Sequence, residues 1–276
     1  MNHSICEMTM RITFSIGLLA AMSLGLNSSQ AQFGMGTPGL GPQGGMSLSP
    51  PTTRLFGENN AFVANMEMEA KMGPQSTITM PSRLAFDQGK SRMDMDLNNL
   101  RGATVTPEAM TQVRQLGMAQ MTMISRPDKQ LVYLVFPTIR NYVEMAQPKA
   151  LAAQKTETMT MSLREIGKEP IGSQPTIKNK AVVTDSTGKQ IESTTWNSTT
   201  LKLFPIRIET VEQGTPVTIN FRNVALGRQP AAAFEPPTGF VKYTNMMDMM
   251  QAVMLKQLPP GSRPAGTNRP PQPAPR

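Results

Sequence analysis

Residues 62–72 read FVANMEMEAKM, and this stretch decides the fold class. Apolar side chains recur at every second position from Phe62 to Met72, and polar residues such as Glu67 and Glu69 fill most positions between them. Successive side chains of a β-strand point to opposite faces of the sheet. A period of two with one polar face is typical of a half-buried strand in an antiparallel sheet, so we predict such a strand here.

The same alternation recurs along most of the chain. Turn sequences separate the apolar segments, among them Asp87-Gln88-Gly89 and Arg126-Pro127-Asp128-Lys129. The predicted strands lie at residues 62–72, 78–80, 93–97, 121–123, 131–136, 159–168, 176–184, 190–197, 203–211 and 217–225. Strands this close together, joined by turns, predict an antiparallel sheet of many strands rather than alternating β and α units. The fold class is therefore mainly β, with a few helices added (α+β).

Three segments break the strand pattern and predict helices. Residues 106–117 begin with Thr-Pro-Glu, which supplies an N-cap, a first-turn proline and an acid, and they end at a glycine. Residues 245–258 begin at Asn245, contain five methionines and stop before two prolines. We expect this Met-rich helix to pack into the mouth of the sheet. Residues 149–156 predict a further short helix.

The N-terminus has the three parts of a secretory signal peptide. Arg11 precedes an apolar run at residues 13–26, which is shorter than the roughly 20 residues that span a membrane. Small residues follow at Ser29 and Ala31, which predicts cleavage after Ala31. We therefore predict residues 1–31 as signal peptide and a periplasmic or secreted chain that is not transmembrane after cleavage.

Chemistry that depends on cysteine or histidine is excluded from the exported chain. The only cysteine is Cys6 and the only histidine is His3, and both lie in the predicted signal peptide. This excludes a Ser-His-Asp triad, a cysteine nucleophile and a zinc site built on these residues. Cys6 precedes the apolar run, so there is no lipobox. No phosphate-binding, dinucleotide or G-x-S-x-G motif occurs, and we predict a protein that is not an enzyme and has no cofactor.

Composition sets the boundaries of the folded body. Residues 32–53 are rich in Gly, Pro and Ser and predict a flexible linker, while residues 259–276 contain seven prolines and predict a disordered basic tail. The body then spans 54–258. The net charge is +8, but only 5% of residues are aromatic and there is no block of basic residues. We predict no nucleic-acid partner; anionic lipid or a cell-wall polymer fits this charge better.

Methionine is the most unusual feature of the composition, with 24 residues among 276. Met-x-Met pairs lie in four predicted strands, and residues i and i+2 share a strand face. Because the residues between them are polar, we place the methionines on the inner face. The candidate ligand-binding residues of a hydrophobic cavity are Phe62, Met66, Met68, Met93, Met95, Met121, Met123, Met159 and Met161.

Phe234–Phe240, Phe204–Ile206 and several further segments together resemble an uncharacterised bacterial family of exported domains that is similar to the LolA/LolB lipoprotein carriers and receptors. The most specific are Phe234-Glu235-Pro236-Pro237-Thr238-Gly239-Phe240 and Phe204-Pro205-Ile206. Trp196 and Gly167-Lys168-Glu169-Pro170-Ile171-Gly172 fit the same pattern. The resemblance covers about residues 60–245. It implies a single curved antiparallel sheet, a half-open barrel, wrapped around a few helices, and a hollow that receives acyl chains in the characterised carriers.

Three functions remain open at this stage. The first is an exported binding protein that holds a lipid or other hydrophobic ligand against soft, polarizable methionines. The second is a structural or interaction module of the cell envelope, in which methionine fills the core and residues 245–276 contact an envelope protein. The third is Cu(I) binding by clustered thioethers, which are ligands that soft metals prefer.

Overall fold

The computed structural model describes residues 48–73, 76–102, 106–147, 158–212 and 214–257. Three α-helices occur in these ranges: α1 (Pro50–Arg54), α2 (Pro107–Gln115) and α3 (Met246–Gln257). The strands are β1 (Ala61–Gly73), β2 (Ser76–Asp87), β3 (Lys90–Asp96), β4 (Gln120–Arg126), β5 (Leu131–Phe136), β6 (Asn141–Ala146), β7 (Thr160–Lys168), β8 (Thr176–Thr184), β9 (Gln190–Ser198), β10 (Pro205–Glu212), β11 (Thr215–Leu226) and β12 (Val241–Tyr243).

All twelve strands form one curved, unclosed sheet in the order β12-β6-β5-β4-β3-β2-β1-β11-β10-β9-β8-β7. The sheet consists of two consecutive meanders, β2–β6 and β7–β11, that β1 joins by pairing with both β2 and β11. Every pairing is antiparallel except that of β12 with β6, which is parallel. The predicted fold class is confirmed.

Most predicted strands are present, and the differences have local causes. The predicted strand at 78–80 is the middle of β2, which is much longer, and the strand predicted at 203–211 begins only at Pro205. The sequence analysis missed β6 and β12. β12 has only three residues, too few for a period of two to be visible. The helix predicted at 149–156 lies outside the described residues.

One apolar cluster fills the concave side of the sheet. It contains buried residues from β6, such as Val143, and from β8, such as Ala181, which lie on opposite sides of β1 in the sheet. Strands so far apart can contribute to one cluster only because the sheet curves around it. The same cluster includes residues from the three helices or their ends, such as Phe56, Leu116 and Met249. The helices therefore lie inside the curve.

The boundary predicted between the linker and the body, at residues 53 and 54, falls inside α1. Ser49 caps this helix: its hydroxyl accepts a hydrogen bond from the Thr52 amide. The Ser49 hydroxyl also donates to Glu212 of β10 at 2.8 Å, and Thr52 is 2% exposed. The two prolines, which suggested a linker, occupy the first turn of this helix.

Both longer helices begin at the predicted caps. The Thr106 hydroxyl accepts from the Ala109 amide, and the Asn245 side chain accepts from the Asp248 amide at 2.8 Å. Gly117 follows α2 in a left-handed conformation (φ +68°), and a Cβ there would lie 2.6 Å from Cγ2 of Ile139. Only glycine fits this helix end without displacing its neighbour.

Residues 227–240, which we name the strap, cross the convex face between β11 and β12. Phe234 of the strap is fully buried in a second apolar cluster with Ile124, Tyr133 and Val135. These convex residues alternate with the concave residues of β4 and β5. The F-E-P-P-T-G-F motif therefore holds the convex face, and the ligand-binding candidates lie on the other side of the sheet.

Arg126 holds the strap through charge. Its guanidinium, only 10% exposed, pairs with Glu235 and with Asp128 at 2.8 Å, and it donates to the Phe234 carbonyl at 3.2 Å. The hydrogen bond from Arg126 holds the pKa of Asp128 below its ordinary value. A carboxyl whose pKa is lower in the folded state stabilises the fold above its unfolded pKa, and this stabilisation disappears as the pH falls through the folded pKa.

We therefore expect unfolding in urea to become easier as the pH falls below about 4, and the Asp128→Asn protein to show a weaker dependence on pH in this range. The urea midpoint, measured at several pH values, checks this. Glu165→Gln is a suitable control, because Glu165 is an exposed carboxylate of β7. Equal pH dependence of the Asp128→Asn and wild-type proteins would contradict the prediction.

Candidate ligand-binding face

Five phenylalanine rings form the base of the concave face. Phe56 follows α1 and contacts the rings of four other phenylalanines, with ring centres 4.8–5.7 Å apart. The four are Phe62, Phe86, Phe204 and Phe221. Edge-to-face contacts predominate, which is the arrangement that aromatic quadrupoles favour. The base is therefore well packed and closes one end of the concave face.

Methionines line the face above this base on β1–β4. Register places Met93 directly opposite Met123, and Met95 directly opposite Met121. On the neighbouring strands, Met68 lies opposite Met80. Side chains in directly opposite positions have Cβ atoms about 4.5–5.5 Å apart. Two Met-x-Met pairs that are separated in the sequence, those of β3 and β4, thus face each other, while Ser82 of β2 lies between Met66 and Met95.

All nine predicted site residues belong to, or pack against, the concave cluster. Seven are buried at 7% exposure or less: Phe62, Met66, Met93, Met95, Met121, Met123 and Met159. Met68 and Met161 are partly buried and pack against the others. Met159 precedes β7 rather than lying in it. The methionines therefore lie on the inner, concave face of the sheet.

The prediction missed several residues of the same face. Met80 and Met118 are buried in the cluster without belonging to a Met-x-Met pair, and Met249 is buried there from α3. Met145 is partly buried there and lies on β6. The sequence does contain a pattern that predicts this position of Met145: Val143 and Met145 alternate with Tyr142 and Glu144 along β6. The contribution of Phe56 had no such signal.

Helix α3 packs against the concave cluster at the end of the sheet that β6 and β12 form. Met249 and Val253 of α3 are buried in the concave cluster, and Met246 and Met250 pack against it. The end of α3 is tied to α2, because the Gln257 side chain donates to the Gln115 carbonyl at 3.0 Å. The expected packing of the Met-rich helix at the mouth of the sheet is thus observed, with the helix at Met246–Gln257.

The concave side of β8–β10 carries a polar network beside its apolar residues. Asn197 is 5% exposed and accepts hydrogen bonds from Thr195 at 2.7 Å and from Asn179 at 3.0 Å. Ser193 donates to Thr210 at 2.9 Å. Thr195 pairs with Ile208, whose side chain belongs to the concave cluster, so this network faces inward. Its members satisfy each other, and none of them carries a charge.

Trp196 lies on the convex face of β9, away from the methionines. Lys178 lies over its ring at 4.8 Å and Arg207 at 4.9 Å, and the indole donates to Glu169 at 3.2 Å. The hydrogen bonds from Lys178 and Trp196 lower the pKa of Glu169. Lys178 and Arg207 occupy the indole ring, and its N–H donates to Glu169, so we infer that this cluster stabilises the sheet.

The acidic side chains of the described ranges do not assemble into a metal site. No group of three or more Asp, Glu, His or Cys residues with metal-binding geometry occurs in the part of the chain that the structure describes. Asp94 accepts hydrogen bonds from Arg92 and Thr122. Asp96 caps the short 3-10 turn Leu97–Asn99. Within the same ranges, no helix combines the length and apolarity needed to span a bilayer.

No protein-family model matches the chain, and no curated protein matches it. Among solved structures, a LolA superfamily protein from Nitrosomonas europaea is similar, with a TM-score of 0.36 and 10% identity over 68% of this chain and 98% of that chain. The lipoprotein LppX from Mycobacterium tuberculosis is similar over 66% and 93%, with a TM-score of 0.37 and 9% identity. LprF from Mycobacterium bovis is similar over 69% and 95%, with a TM-score of 0.37 and 10% identity. The chain is thus similar to LolA-like domains, as the resemblance in its sequence implied.

Proposed function

We propose that this chain is an exported, non-enzymatic binding protein that holds a lipid or other hydrophobic ligand on the concave face of its sheet. The observation that carries the proposal is the methionine surface that β3 and β4 form together, where Met93 faces Met123 and Met95 faces Met121. Unbranched thioethers adapt to ligands of varied shape more readily than Leu, Ile or Val do. The predicted signal peptide, residues 1–31, supports export.

A ligand reaches this surface only when its cover moves. Met93 and Met95 are 1% and 4% exposed, and α3 contributes two buried side chains to the same concave cluster. Helix α3 has few neighbours in the sheet beyond β6 and β12, whereas strands in the centre of the sheet are paired on both sides. We infer that α3 opens to admit an acyl chain, which then lies between the helix and the methionines.

Native mass spectrometry of the protein purified from its expressing cells tests the ligand directly. We expect a bound lipid mass, and uptake of a fluorescent fatty acid after delipidation. Met68→Gln combined with Met145→Gln changes two partly buried residues at the margin of the cluster, so the fold should persist. These polar replacements should lower fatty-acid affinity by about tenfold or more, since each removes apolar contact with the chain. Met247→Gln, at an exposed position, is the matched control.

Locking α3 tests the route of entry. Gln115 and Gln257 are exposed and adjacent, so both can be changed to cysteine in a Cys6→Ser background and joined by a short bis-maleimide. We expect the joined protein to take up fatty acid about tenfold more slowly or worse, and the unjoined variant to behave as wild type. No bound lipid and no uptake by the unjoined protein would contradict the proposal and favour a filled core.

The register also favours a second candidate, Cu(I) binding. Four thioethers, those of Met93, Met95, Met121 and Met123, meet on two neighbouring strands. Thioethers are ligands that Cu(I) prefers. Replacing Met93 and Met123 by leucine keeps the volume and the apolar surface at small cost. If copper is the ligand, saturable Cu(I) binding is lost in this variant while the fold is kept; if lipid is the ligand, fatty-acid uptake persists.

A further inference from the structure

Helix α3 has a second apolar face that points away from the sheet. Met247 is 74% exposed and Met254 is 42% exposed, which makes Met247 the most exposed of the large apolar side chains in the described ranges. On a helix, residues seven apart lie on the same face, so Met247 and Met254 share one face of α3. We name these two residues the methionine stripe.

The stripe is distinct from the face of α3 that packs on the sheet. Met249 and Val253, four apart, are 0% and 5% exposed and form the inner face. Met247 and Met254 lie on the other side of the helix, where Gln251 is also exposed. A helix that served only as a cover would carry polar residues at these outward positions. Exposed apolar side chains at a regular helical spacing indicate a surface that another apolar phase covers.

The charge of the following segment indicates what that phase is. The chain continues for 19 residues beyond α3, from 258 to 276, and this part contains Arg263, Arg269 and Arg276 and no acidic residue. Basic segments next to an apolar helical face are attracted to anionic lipid headgroups. A protein partner would need a specific surface for the stripe and another for these arginines. A bilayer with anionic lipid already offers apolar acyl chains to the methionines and negative headgroups to the arginines.

We propose that α3 docks on an anionic membrane surface, with Met247 and Met254 inserted among the acyl chains. The inner face of α3 stays on the sheet. Docking in this orientation places the mouth of the concave face against the bilayer. The inference stands on the outer face of α3 and the charge of the tail, and it does not depend on what the concave face holds.

Co-sedimentation of the full chain, purified as it is processed in the cell, with vesicles tests the docking. We expect binding to vesicles of phosphatidylglycerol and phosphatidylcholine, and much weaker binding to phosphatidylcholine alone. Met247→Gln with Met254→Gln should lower the partition coefficient by about tenfold or more, because the inserted apolar groups are lost. Replacing each tail arginine by glutamine should lower it by about fivefold.

Two matched variants separate the stripe from apolar exposure in general. Met247→Leu with Met254→Leu keeps the apolar face and should bind as wild type does. Leu163→Gln with Ile166→Gln removes two side chains of similar exposure, 49% and 48%, from β7, and should leave binding unchanged.

Absence of wild-type binding to anionic vesicles, or equal loss in the β7 variant, would overturn the proposal. Retention by an envelope protein without vesicle binding would also overturn it. A lipid-free protein that still binds vesicles would contradict only the proposed cargo.

Discussion

The Phe56→Ala protein is expected to lose about 3–5 kcal/mol of unfolding free energy, which is the usual cost of removing a fully buried phenylalanine. Phe56 is 2% exposed and contacts four other rings that come from β1, β2, β11 and the turn before β10. Its removal leaves a cavity that these rings cannot all close. Urea unfolding followed by the fluorescence of Trp196, the only tryptophan, measures the loss.

A neighbouring leucine provides the control for Phe56. Leu203 lies next to the ring cluster in sequence but is 54% exposed, so Leu203→Ala should change the unfolding free energy by less than about 0.5 kcal/mol. A loss below about 1 kcal/mol in the Phe56→Ala protein would show that the segment before β1 is not part of the cooperative unit. The cooperative fold would then begin at β1.

The Phe234→Ala protein is expected to lose a similar amount, about 3–5 kcal/mol, and to become sensitive to proteases in the C-terminal part of the chain. Phe234 is fully buried on the convex face, where it anchors the strap. The strap leads directly into β12 and α3, so its release also removes the tether of the helix that covers the methionines. Limited proteolysis with identification of the cut sites by mass spectrometry shows whether cleavage falls within residues 227–257.

The matched control lies in the same strap. Phe240 is only half-buried and packs against the convex cluster from its margin, with Arg140 at 5.4 Å from its ring. Phe240→Ala should therefore cost clearly less than Phe234→Ala and should not expose residues 227–257 to cleavage. Equal losses in the two variants would indicate that the strap is held by its charges, chiefly Arg126 with Glu235, rather than by burial of one ring.

The fold class and the inner face followed from the sequence because they depend on local patterns. Alternation along β1 identified Met66 and Met68 as residues of one face, and burial against the concave cluster confirms it. The caps at Thr106 and Asn245 were equally local. Such features need only the residues within one strand or one helical turn, which is what periodicity and capping rules describe.

Features that depend on distant parts of the chain were not accessible in this way. Met93 lies opposite Met123 because of the register between β3 and β4. The turns and the whole sheet determine this register together. Phe56 enters the core because α1 folds back inside the curve, and nothing in its neighbours in the sequence indicates this. β12 exists because the strap carries three residues to the free edge of β6, where Val241 donates to the Arg140 carbonyl. A sequence pattern of only three residues cannot reveal that β12 pairs with β6, a strand about a hundred residues earlier in the chain.

The pairing of β1 with β11 has a consequence for how the chain matures. Phe62 lies opposite Leu226, so one edge of the first strand has no partner until nearly the whole domain has left the ribosome or crossed a translocon. During that interval β1 exposes an unpaired edge, and β1 and β2 expose an apolar face rich in Phe and Met. Chaperones bind such surfaces, and the same surfaces promote aggregation. Loss of a holding chaperone should therefore reduce the yield of this protein long before any change in its finished stability is measurable.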